Sequence, residues 1–212
     1  MTVPLLAAAL LLLVAADGTA PTREQALTDL GRTSDVAARQ RGVAWLGEHG
    51  TVDDLPRLAA ALRDPDAGVR RLAEEAMWQL WSRSGDDEID RLLAVGIAEM
   101  NARAGAAAVD TFSRIIARRP DFAEGWNKRA TVYYLLGEYE KSLADCDEVM
   151  KRNPYHFGAL SGYGMIYLQL GRPEQALSFF ERALAVNPNL ESVRETVDAL
   201  REQLVRRGRN TL

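Results

Sequence analysis

Prolines stand at 120, 154 and 188, in "ARRPDF", "KRNPYH" and "AVNPNL", and both intervals are 34 residues. Each follows a run of helix-forming residues. Proline lacks the amide that a helix interior needs and pushes its predecessor out of the α region, so it marks a helix end. A chain that stops its helices at one fixed interval is built from repeated units. Other positions keep the same step. A large apolar residue recurs as Leu92, Trp126 and Leu160, and a small one as Gly96, Ala130 and Gly164. Tyr133 and Tyr167 match, with Glu99 in the first unit. Further on come Ala108, Ser142 and Ala176, then Phe112, Cys146 and Phe180, then Ile115, Val149 and Ala183.

Spacings of four and three place the bulky and small residues of each first helix on one face. The small residue lets a second helix approach closely. Gly105, Gly137 and Gly171 are expected to make the tight turn between the two, because glycine readily takes positive φ. Three units follow, at about 89–122, 123–156 and 157–190. One helix pair cannot bury its own apolar face, so pairs stack and the last needs a cap. Val193, Val197, Leu200 and Leu204 lie at helical spacing and predict that cap over 191–208.

These residues resemble the tetratricopeptide repeat, a helix–turn–helix unit, from Ile89 to Leu190, departing from its pattern at Glu99, Arg129 and Cys146. The resemblance implies an all-α, right-handed α-solenoid whose first helices line a concave groove. Groove-facing positions would be Leu93, Ile97 and Asn101, then Asn127, Lys128, Thr131 and Tyr134, then Ser161, Met165 and Gln169. An aromatic beside amide donors, as at Tyr134 and Asn127, suits capture of a peptide. Some members of the family clamp the terminal carboxylate of chaperone tails with Asn, Lys and Arg spread over three first helices. Here Lys128 replaces an Asn, and the other clamp positions hold Leu93, Ile97, Gly158 and Gly162. A carboxylate would meet one cation instead of several, which argues against that role.

Residues 22–83 are helical by another rule. "DP…VRRLAEEA" after "RDPDA" resembles HEAT-like repeats, with Asp64, Pro65 and Asp66 suited to a helix-to-helix turn and cap. An earlier copy lies about 31 residues upstream, where Val36 to Arg39 echoes Ala67 to Arg70. Trp45, Trp78 and Trp81 fall here and are read as core, with an exposed binding patch at Trp81 as the sharper alternative. "GDDEID" lacks the alternating ligands of a calcium loop and reads as a helix start.

The first sixteen residues, "MTVPLLAAALLLLVAA", hold an apolar run too short to span a bilayer comfortably, with small residues before Asp17. They predict a signal peptide cleaved after Ala16 and a periplasmic protein; an uncleaved helix tethering the chain to a membrane is the alternative. A net charge of −4 argues against nucleic acid as a partner. The one cysteine, Cys146, excludes an internal disulfide and sits at a core repeat position. His49 and His156 suit structural roles better than a metal site. The chain carries no phosphate loop, zinc-ligand spacing or nucleophile elbow. The expected function is a non-catalytic adaptor that binds a protein or peptide in the groove, with no cofactor and no small-molecule substrate. The alternative is a self-associating structural component of a cell-envelope complex.

Overall fold

The structure is a computed structural model that describes residues 20–210; the expected signal peptide lies outside them. The described residues form eleven α-helices and no strand.

Six of these helices make three consecutive hairpins. They are α5 (Asp87–Asn101) with α6 (Gly105–Arg118), α7 (Ala123–Leu135) with α8 (Tyr139–Arg152), and α9 (Phe157–Gln169) with α10 (Pro173–Val186). Each second helix packs on its own first helix and on the first helix of the next unit, and α10 passes its exposed side to α11 (Glu191–Asn210). The three prolines lie two residues beyond α6, α8 and α10. At two of these junctions the chain turns on an asparagine: Asn153 and Asn187 are buried, and their side-chain oxygens accept from the amides of Tyr155 and Asn189 at 3.1 and 3.0 Å.

Packing inside each hairpin follows the small positions. A Cβ on Gly96 would meet the Phe112 ring at 2.5 Å, and one on Gly164 would meet the Phe180 ring at 2.5 Å. In the middle unit the small residue is Ala130, and its partner shrinks to Cys146. Burial pushes the Cys146 thiol up to about 12, with the carboxylates of Asp145 and Asp147 adding to the shift. A thiol so held is packing material and not a nucleophile.

Turn geometry corrects one expectation. Gly137 and Gly171 do take positive φ, at 77° and 68°, but in the first unit the left-handed residue is Arg103, at 60°. Gly105 is the first residue of α6. The 34-residue step from Gly137 leads to Arg103, so the repeat is regular here even though the residue is not glycine.

The N-terminal helices are α1 (Arg23–Leu30), α2 (Val36–His49), α3 (Leu55–Ala61) and α4 (Ala67–Trp81), with a short 3-10 turn at Val52–Asp54. The upstream sequence copy falls on α1 and α2, the downstream one on α3 and α4. Asp35 and Asp66 cap α2 and α4 alike, accepting the amides of Ala38 and Val69 at 2.9 Å. Arg39 and Arg70, one turn further on, both reach back to carbonyls of the preceding loop. Arg39 also grips Asp64 through two hydrogen bonds at 2.8 and 3.0 Å, which ties the two loops together.

This N-terminal unit folds back along one edge of the hairpin stack. Phe157, Tyr155, Val186 and Leu190 join the core formed by α2, α3 and α4. Asn187 donates to Glu74 at 3.0 Å, Asn189 donates to the Leu62 carbonyl at 2.8 Å, and Arg63 reaches the carbonyls of Ala185 and Val186. Helix α4 therefore lies as a strut across the starts of α9 and α11. Its end meets the linker to α5, where Arg83 bonds the carbonyls of Gly47, Glu48 and Gly50 at the end of α2.

Candidate functional site

The first helices touch along the stack, α5 with α7 and α7 with α9, and together present one face. On α7, Lys128, Thr131 and Leu135 share a side at helical spacing; on α9, Gly158, Ser161, Met165 and Gln169 do. The structure divides this face in two.

At the starts of the helices the face is closed. Trp81 is 5% exposed and stacks on His156, with ring centroids 4.2 Å apart and an interplanar angle of 16°. Trp81 is therefore core, as read from the sequence, and the alternative of an exposed patch does not hold. Trp78 meets the Phe157 ring edge-on at 5.3 Å, and its ring fills the space beside Gly158, where a Cβ would come within 2.7 Å. His156 is fully buried and caps α9, its Nδ1 accepting the Ala159 amide at 3.1 Å. The proton therefore sits on Nε2 and is donated to Glu124 Oε2 at 3.1 Å. Asn127 Nδ2 donates to the same oxygen at 3.1 Å. Lys128 Nζ stands 3.0 Å from Oε1, outside the angles of a hydrogen bond. Burial by itself would raise the Glu124 carboxyl; the His156 hydrogen bond and the Lys128 charge outweigh it and hold the group below the ordinary glutamate range.

Two expected groove donors are thus engaged inside the protein. Asn127 is 8% exposed and serves Glu124. Lys128 is largely covered and ion-paired with the same residue. Ser161 donates back to the Phe157 carbonyl at 2.9 Å. Leu93 is buried with Ile89 and Phe112 in the core of the first hairpin, so it faces inward and not toward a groove. Ile97 is half-buried against that same cluster.

Toward the ends of the helices the face is open. Asn101, Thr131 and Gln169 are exposed. Met165 is 41% and Leu135 64% exposed. Tyr134 is half-buried, lies 6.0 Å from the Tyr139 ring, and its hydroxyl is 3.5 Å from Gln169 Nε2, so α7 and α9 meet here across the face. Sequence reading missed Leu135, although its spacing from Lys128 and Thr131 marks the same side. It also missed the Glu124–His156 pair, whose members are 32 residues apart. One signal was present: the repeat partners of His156 are Phe122 and Leu190, both apolar. Among the described residues no group of three or more His, Cys, Asp or Glu could hold a metal ion, and no helix is long and apolar enough to cross a membrane.

Comparison with known proteins agrees with this architecture. The tetratricopeptide repeat family model matches residues 121–189. A TPR repeat-containing protein of Rhizobium etli is 36% identical over 142 residues, covering 67% of this chain and 69% of that one. Anaphase-promoting complex subunit 3 of Schizosaccharomyces pombe is 33% identical over 87 residues; the match spans 41% of this chain but only 13% of that much longer relative. Among solved structures, the first TPR of Spaghetti (RPAP3) bound to an HSP90 peptide superposes with a TM-score of 0.54 at 20% identity, over 56% of this chain and 94% of that one. That likeness is one of fold. With the 34-residue hairpins, the closed small-to-large packing and a relative matched over two thirds of both lengths, the chain belongs to the tetratricopeptide-repeat family.

Proposed function

We propose that this protein is a non-catalytic adaptor that holds a segment of a protein partner against the open ends of α5, α7 and α9. The observation that carries the reading is the exposure of Met165 and Leu135 on either side of Tyr134, on a face whose other half is sealed by α4. Large apolar side chains left bare beside an aromatic hydroxyl and the Gln169 amide are the makings of a peptide groove. The solved structure bound to an HSP90 peptide supports the same mode of use. The chemistry favours a segment with apolar side chains over an acidic tail, because Lys128 already neutralises Glu124.

The N-terminal helices read as two HEAT-like pairs, supported by the matching caps of Asp35 and Asp66. The apolar stretch at residues 5–15 supports export from the cytoplasm. Mass measurement of the chain isolated from the cells that make it tests this, since removal of residues 1–16 leaves a defined shorter mass. For the groove, the test is crosslinked affinity capture from those cells with wild type and a Leu135→Glu, Met165→Glu variant. Partners held by the groove are lost from the variant while its helical content and melting temperature stay the same. Identical partners with both proteins would place the working surface elsewhere.

A further inference from the structure

In the sealed half of the face, one chain of contacts runs from the groove side of α7 to the end of α4. Lys128 and Asn127, on the groove side of α7, hold Glu124. Glu124 accepts from His156 at the start of α9. His156 is the platform on which Trp81, at the end of α4, is stacked. Every link is buried or nearly so, and each group has few alternatives. Glu124 Oε1 has no hydrogen bond, and Trp81 Nε1, buried in the same junction, has no acceptor from the protein. Buried polar groups left in this state make an interface weaker than its apolar area would suggest. The linker beyond Trp81 turns at Gly85, with a φ of 76° and open space where a Cβ would stand, and Ser84 ties it to Asp90 of α5 at 2.8 and 2.6 Å.

We propose that the docking of the N-terminal strut is coupled to the groove through Glu124, so that Lys128 and Trp81 act as the two ends of one switch. The inference rests on reading α5, α7 and α9 as the groove and adds its regulation. A groove ligand that draws Lys128 or Asn127 away leaves the Glu124 carboxylate buried with less compensation. The carboxylate then turns toward water and His156 loses its acceptor. The platform for Trp81 is weakened and α4 loosens from α9. By linkage the reverse holds equally: releasing α4 frees Lys128 for a ligand. The bistable element is the end of the strut, whose two states are Trp81 docked on His156 and Trp81 released from it.

Hydrogen exchange on the full chain without a ligand tests the coupling apart from the groove's partner. In a Lys128→Met variant, amides of Trp78–Trp81 and Phe157–Leu160 are expected to exchange at least about tenfold faster than in wild type, with α6 and the middle of α10 unchanged. Adding Glu124→Gln to Lys128→Met removes the orphaned charge and is expected to restore slow exchange in α4. A Trp81→Phe variant, probed at Glu124–Lys128, reads the device from its other end and should show faster exchange there. If Lys128→Met loosens only the start of α7 and leaves Trp78–Trp81 at wild-type rates, there is no coupling. Coupling is equally ruled out if Trp81→Phe leaves Glu124–Lys128 unmoved. Neither result bears on whether the open half of the groove binds a partner, which the capture experiment decides.

Discussion

Gly164 stands so close to Phe180 that an added Cβ would lie 2.5 Å from the ring, and Gly96 repeats the relationship with Phe112. Between them, Ala130 faces Cys146. The hairpins thus follow one volume rule: where the second helix carries phenylalanine the first offers glycine, and where it carries cysteine the first offers alanine. Overpacking a full core typically costs about 1–3 kcal/mol. Gly164→Ala is expected to lower stability by that amount in urea unfolding. Cys146→Phe should do likewise by itself, and Ala130→Gly should offset part of the cost in the double variant. A double-mutant cycle with no coupling between 130 and 146 would contradict the volume rule.

Arg103 is exposed and holds a φ of 60° at the turn where the other units use Gly137 and Gly171. A side chain in the left-handed region costs about 1–2 kcal/mol, partly returned by the greater unfolded-state freedom of glycine. Arg103→Gly should therefore raise stability by about 0.5–1 kcal/mol. Gly137→Ala, with open space around its Cα but the same backbone, should lower it by about 1 kcal/mol. Thermal melts of the pair read both signs.

Acid should weaken the junction through Glu124. Its carboxyl is held below 4.5, the ordinary glutamate value, so the unfolded chain binds its proton first as pH falls. The stabilisation is fully present above that value and is lost as pH drops through the folded one. Glu124→Gln is expected to cost about 3 kcal/mol near pH 7, as when one partner of a buried ion pair is removed. That difference from wild type should shrink steadily below pH 4.5. A constant gap across the range would mean the carboxylate's charge contributes nothing.

Truncating the platform's partner separates docking from folding. Trp81→Ala removes a buried ring of the kind whose loss costs about 3–5 kcal/mol. It should release α1 to α4 to protease at the linker around Gly85 while the three hairpins stay helical. Limited proteolysis followed by mass measurement shows whether the cut falls there.

Much of this fold is legible because a packing demand that recurs every 34 residues writes itself into the sequence. The small positions, the prolines and the closing helix all follow from stacking like units. Arg103 was hidden for a physical reason. Its role is a backbone angle, and a search for glycine settles on Gly105, two residues along. The strut was hidden for another. Val69, Ala73, Ala76, Met77 and Leu80, with Trp81 at the edge of the same stripe, already account for α4 as an amphipathic helix buried against its neighbours, and nothing local says that Trp78 and Trp81 meet a surface more than 70 residues away. The Glu124–His156 pair was hidden because it joins two successive units across 32 residues. The groove was legible in part: its face follows from helical spacing, but which half stays open depends on where the strut lies.

The most direct measurement of the groove's role is site-specific photocrosslinking in the cells that make the protein. A photoreactive residue would replace Met165 on α9 or, as a control, the exposed Arg114 on α6. The expected result is a discrete adduct from position 165, absent from 114 and abolished by Tyr134→Ala. An adduct formed equally from both positions, or one indifferent to Tyr134, would contradict a partner seated between α7 and α9.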